Sequence, residues 1–171
     1  MLFRSADIPP TYGSESSPRE LGSGGGSAHV HAGFDGGGLV DLEVAGTFVL
    51  DGIVSADGST WMTALYASGS SGGSVIIYAH RLTGTTGRIR AQGGCTRSSG
   101  ESSGQFAYGS TGGGGRIAVY TDILTWTEEM QAGNAIVAPG CEKGAPENTF
   151  GATAGTVFWG RWHKGLMLIV R

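Results

Sequence analysis

Residues 72–84 read GGSVIIYAHRLTG, and residues 114–126 read GGRIAVYTDILTW. Two glycines, an alternating apolar run and a Leu-Thr turn recur in one order, so the chain repeats a structural unit. The register extends further back. GGLVDLEVAGTFVLDGIVSADG at 37–58 aligns without a gap to GGSVIIYAHRLTGTTGRIRAQG at 72–93, at a constant offset of 35 (72 − 37). The copy that starts at Gly114 follows at an offset of 42 (114 − 72) and takes an insertion around Glu128–Ala132. It resumes as NAIVAPGC, opposite GRIRAQGGC. A degraded fourth copy begins AGTVFWG at Ala154, and SAHVHAG at 27–33 looks like a partial earlier one.

Each unit opens on a strand of period two. Val40, Leu42 and Val44, then Val75, Ile77 and Ala79, then Ile117 and Val119 are expected to face a core; Tyr78, His80, Tyr120 and Asp122 face out. An apolar anchor follows at Phe48, Leu82 or Leu124. A second alternating segment then points Val54 and Ala56, Ile89 and Ala91, or Ile136 and Ala138 inward, with Arg88 and Arg90 outward. After it every copy relaxes into a Gly/Ser tract with no period and of variable length, such as GGCTRSSGESSGQFAYGSTGGGG.

If each coil returns to its start one strand-spacing higher, about 4.8 Å, like residues pair in parallel and stack, Val40 on Val75 on Ile117. The expected fold is all-β, a parallel β-helix (β-solenoid) of about four coils over residues 24–171, with long Gly/Ser-rich loops extruded from one corner. A hairpin-built sandwich or barrel is the alternative, and the two DG pairs of DGIVSADG are its best signal. So short a stack suggests a fragment of a longer array. Residues 1–23 read as an irregular segment, linker or artefact, because MLFRS has the look of a translated adapter oligonucleotide.

Composition agrees with order in the runs and looseness between them. Glycine is 33 of 171 residues, about 19% against a usual share of about 7%, and each interior glycine costs a helix about 1 kcal/mol. A net charge of −3 with 15% charged residues and no basic cluster argues against nucleic acid. No apolar run approaches about 20 residues, so insertion in a membrane as a helix is not expected.

Cys95 and Cys141 occupy equivalent places in consecutive copies. Stacked positions about 4.8 Å apart lie inside the Cα range a disulfide needs, so a Cys95–Cys141 bond is predicted, with the oxidising, extracellular or cell-surface location it implies.

Candidate chemistry is sparse. His29 and His31 share one face of HVH, yet no third ligand stands at a recognisable spacing, so no metal is assigned. Asp35, Asp41, Asp51, Asp57 and Asp122 could include a carboxylate pair for glycoside hydrolysis, but no stacked pair emerges, since Asp41 aligns with Ile76 and Ala118. GSGGGS and GSTGGGGR lack the Lys-Ser/Thr of a phosphate loop. No catalytic residue and no cofactor is therefore expected. Tyr78 and Tyr120, outward and in register, are the surface-binding candidates; the same pairing also serves to stabilise a sheet.

GGSVIIYAHRLTGTTGRIRAQGG, GGGGRIAVYTD and AGTVFWGRWHKGLMLIVR resemble the glycine-rich parallel β-helix repeats of large surface and adhesin-like proteins of bacteria and unicellular eukaryotes. The resemblance covers residues 37–171 and implies a non-catalytic extracellular structural or adhesive segment. Its corner loops would present contacts to polysaccharide or a cell-surface protein, and its partners would include neighbouring coils of the same longer chain. A carbohydrate-active enzyme of the pectinase or polysaccharide-lyase kind, which shares the scaffold, is the alternative.

Overall fold

The computed structural model describes residues 13–26, 33–60, 69–95, 111–140 and 152–162. Among these described residues seven strands and one helix follow in the order β1 (Leu39–Val49), β2 (Ile53–Ser55), β3 (Ser74–Thr83), β4 (Arg88–Arg90), β5 (Arg116–Leu124), α1 (Glu128–Asn134), β6 (Ala135–Ile136) and β7 (Thr156–Gly160). They form two parallel sheets, one ordered β1-β3-β5-β7 and the other β2-β4-β6. This overturns the expected all-β closed solenoid. Among the described residues the first three units each supply two strands rather than a closed coil, the third is interrupted by a helix, and the fourth supplies a single strand, β7, to the first sheet. The segments 61–68, 96–110 and 141–151, which hold most of the Gly/Ser tracts, lie outside the described residues, as does HVH with His29 and His31.

Within the first sheet the pairings follow the repeat from Leu39 to Val44, and a register shift between Val44 and Thr47 then breaks the gapless offset, setting Phe48 opposite Leu82. Val40 pairs with Val75, Val75 with Ile117, and Ile117 with Val157. The inward residues of β3, Val75, Ile77, Ala79 and Leu82, have no exposed surface, nor do Ile89 of the second sheet and Ala91 just after β4. Burying such a side chain contributes about 1.5–3 kcal/mol. This shared core, with Ile117, Val119 and Trp126, holds the sheets together.

The double glycines of the repeat close the corner between units. Gly73 donates its N–H to the Ala56 carbonyl (2.8 Å), Gly115 to Ala91 (2.7 Å) and Gly155 to Val137 (2.7 Å), tying the end of one unit to the start of the next. A Cβ on Gly73 would overlap the Gly38 carbonyl oxygen, and one on Gly115 the Gly73 carbonyl oxygen. A Cβ on the preceding glycine, Gly72 or Gly114, would overlap the carbonyl of Ala91 or Val137. The chain repeats two glycines because both face backbone at van der Waals range.

Two local departures come from the insertion. Thr127 caps α1, its hydroxyl accepting from the Met130 N–H (3.3 Å), and Glu128 and Glu129 occupy the first turn, where the helix dipole favours acids. The helix ends at Asn134 and delivers the chain to the second sheet with Ala135 opposite Ile89 and Ile136 opposite Arg90. Ala135 and Val137 therefore meet the core in place of the expected Ile136 and Ala138, because a slip of one residue reverses the faces of a strand.

At the corner after β1, the Asp51 carboxylate accepts from the N–H of Thr85 (2.8 Å) and of Thr86 (3.2 Å). The Thr85 amide, then that of Thr86, holds this carboxyl below its ordinary value of 3.8. A depressed acid stabilises the fold above its unfolded value and loses that contribution as pH falls through the folded one. Asp51→Asn should lower Tm at pH 7, and the gap from the unaltered chain should close as the pH is taken below about 4 in a series of thermal melts. A gap independent of pH would show that the carboxylate charge contributes nothing.

Candidate functional site

The outward face of the first sheet gathers the surface residues with chemistry. Tyr78 and Tyr120 pair across β3 and β5. Their rings stack with centroids 5.0 Å apart and 12° between planes. Phe158 of β7 tilts against Tyr120 at 5.6 Å, and Trp162 against Tyr78 at 6.1 Å. Gly160 pairs with Tyr120 and makes this possible, since a Cβ there would sit 2.6 Å from two carbons of the Tyr120 ring. The rings spend much of their flat surface on each other, which favours a role in joining units over one in stacking a ligand.

Beside this pair His80 Nδ1 lies 3.1 Å from Asp122 Oδ2. The two stand 42 residues apart (122 − 80), the offset of the repeat, so aligning the copies for charge as well as for apolar pattern would have found them.

The aspartates considered for hydrolysis do not converge. Asp41 pairs with Arg19 (2.7 Å) on the first sheet. Asp51 caps the corner loop at Thr85 and Thr86. Asp57 pairs with Arg90 (2.8 Å) and accepts from the Gln92 N–H (2.7 Å) on the second sheet. Asp35 precedes β1, exposed, with its carbonyl accepting from the Ser59 N–H (3.1 Å). Among the described residues no three His, Cys, Asp or Glu side chains come together as metal ligands.

A strap that leaves no signal in the sequence lies over the face that holds the tyrosine pair. Residues 16–20, which have no periodicity, cross the outward face of the first sheet. Tyr120 donates its hydroxyl to the Ser16 carbonyl (2.6 Å), Ser74 donates to the Glu20 carbonyl (2.6 Å), and Arg19 reaches Asp41. Pro18 is fully buried, and so are Ile76 and Ala118, although they point away from the main core. The expected open tyrosine ladder is thus half-buried and anchored from above.

Cys95 is disulfide-bonded and 5% exposed, and no described cysteine is free. Its expected partner, Cys141, lies outside the described residues. The residue before it, Gly140, stands beside Cys95, a Cβ there being 3.1 Å from the Cys95 Cβ.

Comparison of the chain with protein-family models, with curated proteins and with solved structures finds no match.

Proposed function

We infer that the chain is a non-catalytic structural segment of an extracellular or cell-surface array. Its two sheets would run on into neighbouring units of the same longer chain, and its corner loops would meet polysaccharide or surface proteins. A gradient of burial carries this reading. Val75, Ile77, Ala79, Ile117 and Val119 have no exposed surface, whereas Val40, Leu42 and Val44, the same positions of the first unit, are only partly buried. Val49 at the end of β1 and Ile53 in β2 are 60% and 61% exposed. Among the described residues the inner units have a parallel neighbour on each side in the first sheet, and the first unit has one on one side. An open edge with an apolar flank is a template for another strand.

Sedimentation velocity across the micromolar range tests it. Stacking of β7 and β6 of one copy on β1 and β2 of the next should raise the mean sedimentation coefficient with concentration, and Val49→Lys with Ile53→Lys should abolish the rise. A wild-type chain that stays monomeric throughout would overturn the reading. A polysaccharide-binding screen with a reducing-end assay on the same samples separates the adhesive from the enzymatic reading: binding without release fits an adhesive segment, and release would make it an enzyme.

A further inference from the structure

We propose that the outward face of the first sheet is a peptide-binding groove for an extended Ser-x-Pro-Arg segment of another polypeptide, held in cis by residues 16–20 of this chain. The proposal does not depend on the array reading. The strap is irregular, carries SSPRE in sequence, and is joined to the sheet through the glycine-rich residues 22–26. It runs from β5, where Tyr120 grips the Ser16 carbonyl, to β1, where Asp41 grips the Arg19 guanidinium, with Ser74 of β3 on the Glu20 carbonyl. Pro18, in the middle, is the one fully buried residue of an otherwise exposed or half-exposed stretch.

Each element of this face suits such a ligand. A proline ring offers a rigid apolar body, and Ile76 and Ala118, with no exposed surface, lie between the three anchors. The carbonyls of an extended peptide have no internal partners, so hydroxyl donors fixed on a sheet can read its backbone without regard to side chains. Ser74 is 2% exposed and spends its hydroxyl on the strap. The Asp41 carboxylate supplies the preference for arginine and is the most solvated part, the pair being 57% and 37% exposed. Specificity therefore lies mainly in the proline.

The test uses the full chain carrying Pro18→Gly and Arg19→Ala, which loosens the strap, with circular dichroism to show that the sheets persist. A labelled peptide of residues 14–21, SESSPREL, should bind this variant at millimolar or tighter affinity and bind the unaltered chain at least tenfold more weakly, since the tethered strap competes at high effective concentration. Pro18→Gly in the peptide should weaken binding about tenfold, and Asp41→Ala in the chain about threefold, the range for burial of one ring and for an exposed ion pair. If the loosened variant fails to fold, the isotope-labelled unaltered chain titrated with excess peptide takes its place: the amide resonances of Ser16, Ser17, Arg19 and Glu20 should move toward unfolded positions as the peptide displaces them. No binding to the folded variant, equal binding to both chains, or a strap unmoved by excess peptide would each overturn the proposal.

Discussion

Gly115→Ala should destabilise the chain by about 3 kcal/mol, whereas Gly113→Ala, two residues earlier, should leave it within about 1 kcal/mol of the original. The difference is geometric. A Cβ on Gly115 would overlap the carbonyl oxygen of Gly73 and come within 2.7 Å of the Gly72 carbonyl carbon, and these are backbone atoms that cannot swing aside. Relief would require separating two units and stretching the Gly115 N–H bond to Ala91. On Gly113 the nearest atom is the Thr153 oxygen at 3.5 Å, an ordinary contact. There the substitution mainly restricts the unfolded chain, which is neutral or mildly stabilising. Urea unfolding of both variants measures the contrast; for a chain of this length 3 kcal/mol corresponds to about 6–12 °C in Tm. Equal losses at both positions would mean that the corner is not close-packed.

Cys95→Ser should cost about 4 kcal/mol, a second large effect and one that acts through the unfolded chain. A bond from Cys95 to Cys141 closes a loop of 46 residues (141 − 95), and cross-linking a loop of that size removes about this much conformational freedom in the chain-entropy model. Intact mass after alkylation in denaturant, without reductant, checks the pairing directly: the unaltered chain should gain no adduct, and the reduced chain two. Two adducts without reduction would exclude the bond. Reduction should also lower the urea midpoint, and a chain whose midpoint ignores reductant would show that the bond contributes no stability.

The first sheet was legible in the sequence because its signal is redundant. Period-two runs, a gapless offset of 35 and matching apolar sizes all set Val40 against Val75, and the observed pairing agrees. The corner glycines announced themselves by recurring in pairs. What escaped had no repeat to carry it. The strap makes its contacts across separations such as the 104 residues from Ser16 to Tyr120, and nothing in SSPRE foretells them. The helix did leave a trace, Thr127 followed by Glu128 and Glu129, but the strand repeat on either side made the segment read as a loop insertion. From that followed the one-residue slip at Ala135. The solenoid was inferred by letting each unit of two well-marked strands return to its start one strand-spacing higher, through Gly/Ser tracts for which the sequence has no period. At the candidate site, the adjacency of Tyr78 and Tyr120 followed from register, whereas the rings facing one another under the strap did not.

The outer edge of β1, which no described strand pairs, is open to a fault that its acids oppose. Two copies meeting edge to edge at this strand would run antiparallel, and a pairing centred on Leu42 would set Asp41 of one copy against Glu43 of its partner. Like charges placed directly opposite repel, so homotypic joining of the kind that seeds fibrils is disfavoured. A parallel strand from the far end of another unit would instead bring uncharged Phe158 and Gly160 to those positions if the register of the repeat continued. The alternation of acid and aliphatic residues along β1 thus gives the edge a sense of direction, tolerating growth of the stack while discouraging clumping.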